Sequence, residues 1–225
     1  MSRSPQELAY DDPRLTARAR SLAGGGRAIL GVTGPPGAGK TSLVEALLGE
    51  LPPGWAAHVP MDGFHLADVE LTRLGRLARK GAPDTFDAWG YAALLRRLRD
   101  DGPEVVYAPG FERTLEQPVA GSIPVPPEAR LILTEGNYLL LDEPGWRRVR
   151  GELDEVWYVD VPTPDRTARL VLRHERFGKS AAEARAWVAR VDTPNADLVA
   201  ATRDRSDLVV TGDRSDPMAP SLSLD

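Results

Sequence analysis

The segment from residue 34 to residue 41 constrains the fold of this chain more than any other. It reads Gly-Pro-Pro-Gly-Ala-Gly-Lys-Thr and matches the pattern G-x-x-x-x-G-K-[ST] at every fixed position. The apolar run Ala28–Thr33 precedes it and predicts a buried strand. Residues 42–51 follow with leucines on one helix face. A strand, a glycine-rich loop and a helix in this order predict a phosphate-binding loop.

Each part of this loop has a physical role in holding a nucleotide. Glycines let backbone N–H groups turn toward phosphate oxygens, and the N-terminus of the next helix favours the same negative charge. Lys40 can reach the β- and γ-phosphates, and the Thr41 hydroxyl can bind Mg²⁺. We therefore expect ATP and Mg²⁺ as cofactors. The residues predicted to bind ATP here are Gly34, Pro35, Pro36, Gly37, Ala38, Gly39, Lys40, Thr41 and Ser42.

Strand and helix signals alternate along the chain. Short apolar runs predict strands at residues 28–33, 56–61, 104–108, 130–134, 156–161 and 208–211. This alternation predicts an α/β P-loop NTPase fold, with a central parallel sheet of about five strands and helices on both faces. Ligands bind beyond the C-terminal ends of the strands in such sheets, so site residues should follow the strands.

Two segments depart from this alternation. Residues 5–23 have a helical pattern that three glycines end, which predicts a short helix before the first strand. Residues 118–127 contain four prolines and are expected to be irregular.

Composition excludes several classes of function. The chain has no cysteine, which excludes disulfides, thiolate catalysis and cysteine-ligated zinc. Its 28 Lys and Arg residues against 33 Asp and Glu residues leave a net charge of −5, which argues against nucleic-acid binding. The start of the chain lacks an apolar signal-peptide core, and no long apolar stretch occurs, so we expect a cytoplasmic protein without membrane contact.

Two acidic residues that follow strand signals are candidates for the chemistry. Asp62 ends the second strand pattern, where its carboxylate could accept the proton of an acceptor hydroxyl; the alternative is a helix N-cap. Glu135 follows residues 131–134, where it could hold Mg²⁺ directly or through water; the alternative is a solvated loop carboxylate. Either carboxylate could dominate Mg²⁺ binding.

Basic residues recur with helical spacing in the second half of the chain. Arg166, Arg169, Arg173 and Arg176 are three, four and three residues apart, which places them near one helix face. Cations stabilise the charge that develops in phosphoryl transfer, and a closing lid can supply them. The alternative is an ordinary solvated helix face.

Four polar residues are candidates for binding the acceptor. His65 follows Asp62 closely, and Asn137 follows Glu135. Tyr107 and Arg113 lie at and after the strand signal at residues 104–108, where plain packing in the core is at least an equal alternative for both.

Several separated segments together resemble one family. GPPGAGKT, MDGFH, KGAPDTFD, TEGNYLLL, RLVLRH and TRDRSDLVV occur in the order seen in P-loop kinases of the uridine kinase, pantothenate kinase and phosphoribulokinase group. The chain is most similar to bacterial nucleoside and nucleotide kinase-like proteins, among them those assigned to fructose transport systems. Within the resemblance, Asp62 and Lys40 correspond to catalytic residues, and Arg169 and Arg173 to the lid arginines. Thr202 and Arg203 correspond to the segment beside the adenine.

The resemblance leaves the acceptor open. Residues 83–87 are similar to the H-P-D-A-F-D segment of uridine kinases, but Gly81 stands where those enzymes carry a ribose-binding aspartate. Residues 80–83 are similar to the K-G-x-P of bacterial pantothenate kinases, which are longer.

The resemblance implies an Mg²⁺-dependent ATP phosphotransferase that acts on a hydroxyl of a small molecule, such as a nucleoside, a pantothenate-like compound or a sugar. It implies a kinase domain at residues 27–212, with a lid at about residues 164–180. An N-terminal helical extension (residues 1–26) precedes the domain and a disordered tail (residues 213–225) follows it. A homodimer is also implied. The alternative function is a regulatory P-loop ATPase without an acceptor.

The loop assignment predicts the effect of removing its lysine. We expect Lys40→Ala to weaken ATP binding as well as turnover, because the ammonium contacts the phosphates both in the bound ground state and in the transition state of transfer. Titration with a fluorescent ATP analogue and assays of ADP release test this. An unchanged affinity together with an unchanged rate would contradict the assignment.

Overall fold

Strands and α-helices alternate in the computed structural model, which describes residues 4–100 and 102–212. The described residues contain eight strands: β1 (Gln6–Ala9), β2 (Ala28–Thr33), β3 (Ala56–His58), β4 (Val106–Glu112), β5 (Gln117–Val125), β6 (Leu131–Glu135), β7 (Glu155–Asp160) and β8 (Leu208–Thr211). They also contain eight α-helices: α1 (Arg14–Leu22), α2 (Lys40–Glu50), α3 (Asp68–Arg73), α4 (Ala88–Arg99), α5 (Pro144–Gly151), α6 (Thr163–Arg176), α7 (Ala181–Trp187) and α8 (Thr193–Ala200).

The main sheet has six parallel strands in the order β1-β8-β7-β2-β6-β3. All six residues of β2 are buried, as expected for a central strand covered on both faces. The α/β prediction of a parallel sheet between helices is therefore confirmed, with six strands in place of about five.

Side chains of the central strands alternate between two hydrophobic cores. Ile29 faces one core with Tyr91 of α4 and Trp146 of α5. Its neighbour Leu30 faces the other core with Leu15 of α1 and Leu43 of α2, among other residues. This period of two follows from strand geometry, and it holds the helices on opposite faces of the sheet.

The first strand corrects the prediction for the start of the chain. Residues 5–23 were expected to be helical, but Gln6–Ala9 form β1 and pair in parallel with β8. Only Leu8 of these four residues is buried, so the segment carries neither an apolar run nor a clear alternation. Pairing with a strand some 200 residues away decides its conformation. The predicted tail at residues 213–225 lies outside the described residues.

The proline-rich segment is also more regular than expected. Gln117–Val125 form β5, which pairs antiparallel with β4 in a separate hairpin. Pro118 and Pro124 lie within β5. A proline cannot donate a ladder hydrogen bond, but each strand of a two-stranded hairpin has a free edge that tolerates it. Val106 and Ala108 of β4 pack into the core beside α4.

Residues 4–100 and 102–212 include no helix with the length and apolarity needed to cross a bilayer.

The position of β1 predicts a stability change. Leu8→Ala should lower the free energy of unfolding by about 2–3 kcal/mol, because it removes a buried side chain that packs against the sheet. Gln6→Ala, at an exposed position of the same strand, should change it by less than about 0.5 kcal/mol. Urea unfolding of the two variants measures the difference. Equal, small effects would mean that this segment does not pack onto the sheet.

Candidate active site

The phosphate-binding loop joins β2 to α2, as the sequence predicts. Gly37 and Gly39 have φ angles of 78° and 85°, in the left-handed region that glycine adopts without steric cost. The loop therefore needs glycine at these two positions, and it leads directly into the N-terminus of α2 at Lys40. A helix N-terminus after such a loop attracts phosphate groups.

The Lys40 side chain is buried inside this loop. Its Nζ donates hydrogen bonds to the carbonyl oxygens of Gly34, at 3.0 Å, and Pro35, at 3.1 Å. Burial lowers the pKa of Lys40 to about 8, while the nearby carboxylates of Glu135 and Asp62 oppose this shift. The ammonium is thus held by carbonyl dipoles at the place where phosphate oxygens would bind.

Two oxygen donors suited to Mg²⁺ meet at the start of α2. The Thr41 hydroxyl donates a hydrogen bond of 2.8 Å to Oε1 of Glu135, at the end of β6. Within the described part of the chain, no three His, Asp or Glu side chains gather that could hold a metal ion unaided. Mg²⁺ usually completes its octahedron with substrate phosphates and water, so a hydroxyl and one carboxylate fit an ion that arrives with ATP.

A histidine without a sequence-based prediction lies beside this pair. His58 ends β3, and its Nε2 is 3.9 Å from Oε1 of Glu135. That nitrogen is buried and has no hydrogen-bond partner among the described residues. Burial lowers the pKa of His58, which favours the neutral imidazole. Its position after a strand of a parallel sheet was the signal that could have marked it.

Asp62 lies on a 3₁₀ turn, Met61–Phe64, rather than on the strand predicted to reach residue 61. The turn packs tightly against the hairpin. A Cβ on Gly63 would lie 2.2 Å from the carbonyl oxygen of Pro109, so only glycine allows this approach. The close packing brings β4 and the residues after it next to the Asp62 carboxylate.

The hairpin and the turn bring together Asp62, His65 and Arg113. Nη2 of Arg113 is 3.6 Å from Oδ2 of Asp62. The His65 ring packs on Phe86 and Phe111, with centroid distances of 4.0 and 4.8 Å. Its Nδ1 is 2.9 Å from the backbone oxygen of Asp62, and burial lowers its pKa. A neutral ring that donates from Nδ1 leaves Nε2 as an acceptor.

Comparisons with known proteins agree with this geometry. No protein family model matches the chain. A protein of Schizosaccharomyces pombe assigned as a uridine kinase is 34% identical over 174 residues, which cover 74% of each chain. An ATP-dependent kinase-like protein of Aspergillus versicolor is 35% identical over 154 residues, which cover 64% of this chain and 88% of the relative. The crystal structure of a Silicibacter protein assigned as a fructose transport system kinase matches with a TM-score of 0.77 and 37% identity, covering 87% of this chain and 98% of that chain.

The chain belongs to the P-loop kinase family that its sequence resembles, which includes uridine kinases and pantothenate kinases. The predicted family is thereby confirmed, and the protein is an ATP-dependent kinase of small molecules.

The arginines of α6 differ in their burial and in their contacts with the site. Arg166 is buried and donates hydrogen bonds to the backbone oxygens of Val161, at 3.2 Å, and Pro36, at 3.4 Å, which tie α6 to the phosphate-binding loop. Arg173 interacts electrostatically with Asp62 and Glu135. Solvent reaches its side chain, yet surrounding protein and the charge of Arg113 lower the pKa of its guanidinium. Arg169 is half-buried on the same helix.

Tyr107 and Asn137 are the two other residues that the sequence predicts to bind the acceptor. Tyr107 is 60% exposed and lies on the opposite side of β4 from the buried Val106 and Ala108, so it points away from the core. The backbone oxygen of Asn137 accepts a hydrogen bond of 3.0 Å from Thr33.

The two residues predicted beside the adenine are held by internal contacts. The buried Thr202 donates to Val199. Arg203 donates to Asp160 and Glu7, at 2.7 and 2.6 Å, and the hydrogen bonds to these two carboxylates raise its pKa. Their adenine role stays a prediction.

The lowered pKa of Lys40 predicts how ATP binding depends on pH. The protonated lysine binds phosphate, and in the free protein it loses its proton as pH rises through about 8. Bound phosphate favours the charged form, so ATP affinity should be highest below pH 8. Above that value it should fall by up to about tenfold per pH unit until the pKa of the complex is reached.

Calorimetric titration between pH 7.5 and 9.5 tests this, since ATP itself is then fully ionised. Lys40→Ala should bind more weakly and show a flat profile. A wild-type affinity that stays constant over this range would contradict the prediction.

Proposed function

We propose that this kinase transfers the γ-phosphate of Mg·ATP to a hydroxyl group of a small molecule, with Asp62 as the base. The observation that carries the proposal is the position of Asp62. Burial lowers the pKa of Lys40, and the nearby negative charge of Asp62 opposes that shift. The Asp62 carboxylate also lies 3.6 Å from Arg113 of the hairpin segment. The carboxylate therefore stands between the loop that holds ATP and a separate element that can hold the acceptor.

The site residues have distinct parts in the transfer. Lys40 would exchange its two carbonyl partners for phosphate oxygens, and Thr41 and Glu135 would hold Mg²⁺. When bound, the ion neutralises charge on the β- and γ-phosphates. Asp62 accepts the hydroxyl proton as the acceptor oxygen bonds to the γ-phosphorus. The bond from that phosphorus to the β–γ bridging oxygen breaks, and ADP leaves.

Helix α6 is suited to act as the lid of this site. Arg166 anchors it to the phosphate-binding loop, and His174 Nε2 is 2.8 Å from Asp192 in the π-helical segment Val188–Asp192. Arg169 and Arg173 lie between these two anchors on the same helix. Their charges would face the transferring phosphate. The closed lid would exclude water from the site, which suppresses hydrolysis of ATP.

Assays of ADP release from Mg·ATP test the proposed reaction. The acceptors are pantothenate, uridine, cytidine, fructose, ribulose 5-phosphate and glycerate, with a blank that lacks an acceptor. Stimulation by an acceptor is expected, and omission of Mg²⁺ should abolish it. Steady hydrolysis in the blank without stimulation by any acceptor would favour a regulatory ATPase.

The role of Asp62 predicts a selective loss. Asp62→Asn should lower turnover by about 10²–10⁴-fold, because the amide cannot accept the hydroxyl proton, while ATP affinity stays within about twofold. Asp197→Asn, which removes an exposed carboxylate on α8, serves as the matched control and should retain full activity. Near-normal turnover of Asp62→Asn would refute the assignment of the base.

A further inference from the structure

The guanidinium groups of Arg113 and Arg173 lie near Asp62, and solvent reaches both side chains. A guanidinium offers five N–H donors. The contact of Arg113 with Asp62, at 3.6 Å, is longer than a hydrogen bond. Within residues 4–100 and 102–212, neither side chain donates a hydrogen bond to another group. Two cations with unused donors thus lie close enough to influence each other beside one carboxylate.

We infer that the acceptor carries an anionic group, a carboxylate or a phosphate, and that Arg113 binds this group. The inference rests on the proposed function, in which the acceptor binds next to Asp62. Arginine presents parallel N–H groups that match the two oxygens of a carboxylate or phosphate. A neutral nucleoside or an unphosphorylated sugar offers no such group.

An aromatic ring and a second cation lie beside Arg113. Its guanidinium lies 6.0 Å from the centroid of the Phe111 ring, which also packs against His65. The same ring has Lys80 at 5.5 Å, but Lys80 already pairs with Asp68 at 2.6 Å. The surroundings of Arg113 therefore include one aromatic ring and a second cation, Lys80, which is paired with Asp68, whereas Arg113 makes no hydrogen bond to the described residues.

The cations of the site come from different elements. Lys40 and Arg173 face the phosphates of ATP, whereas Arg113 comes from the segment after β4. An anionic group on the acceptor would therefore meet Arg113, a cation beside the proposed base that does not belong to the ATP part of the site.

Matched acceptors that differ in charge test the inference. The pairs are glycerate with glycerol, pantothenate with panthenol, and fructose 1-phosphate with fructose, so that carboxylate and phosphate are examined separately. We expect the charged member to be preferred, and Arg113→Gln to lower kcat/KM for it by about 10- to 100-fold, mainly through KM, as expected for lost charge-assisted hydrogen bonds.

Arg148→Gln is the control, because Arg148 is an exposed arginine that contacts Trp89. It should retain full activity. A neutral member used as well as its charged partner would overturn the inference while supporting the kinase function. So would an Arg113→Gln variant that loses kcat equally with both members, since Arg113 would then only position Asp62.

A binding measurement keeps the test independent of the choice of acceptor. The ATP site is filled with Mg²⁺ and a non-hydrolysable ATP analogue, and acetate or inorganic phosphate is then titrated while NMR shifts are recorded. Saturable binding that weakens at least tenfold in Arg113→Gln but not in Arg148→Gln is the expected result.

Absence of such binding, or equal binding in both variants, would overturn the inference whatever the assays show. If anion binding depends on Arg113 but no acceptor stimulates ADP release and the blank hydrolyses ATP steadily, the anion site stands and the proposed phosphotransfer fails.

Discussion

Parallel pairing of β2 with β6 and of β6 with β3 is the constraint on which the site depends. All strands of a parallel sheet end at the same edge, and the register aligns Val32 with Glu135 and His58 with Leu133. The loop that follows β2, the carboxylate that ends β6 and the turn that follows β3 therefore meet. Residues about 100 positions apart in the sequence, such as Val32 and Glu135, become neighbours without a long connecting loop.

The side chains that meet at this edge of the sheet carry more positive than negative charge. Lys40 and Arg173 are close enough to Asp62 and Glu135 to feel their fields, and Arg113 adds a further cation. Burial lowers the pKa of Lys40, so the free protein carries an electrostatic cost at this site. Binding of the phosphates of ATP would offset part of that cost, which is how a preformed cationic site favours a highly charged ligand.

The site is built from two separate elements, the central sheet and the hairpin of β4 and β5. The central sheet and its loop form the part that serves ATP, whereas the hairpin approaches Asp62 from outside the sheet through the contact of Gly63 with Pro109. Arg113, the residue argued to select the acceptor, follows β4. Under the proposed role of Arg113, changes in this hairpin would alter acceptor binding and leave the phosphate-binding loop in place, since the two are built on different elements.

The sequence by itself determined the phosphate-binding loop, the α/β class and the positions of Asp62 and Glu135 after strand signals. These features follow from local patterns: a fixed glycine spacing, apolar runs, and the rule that ligands bind beyond parallel strands. Tertiary structure alone decided that residues 6–9 form a strand, because β8 and the core select that conformation for Leu8. It also decided that the proline-rich segment forms β5, that His58 faces Glu135 and that Arg113 reaches Asp62. Each of these depends on which distant elements pack together, and no local pattern contains that information.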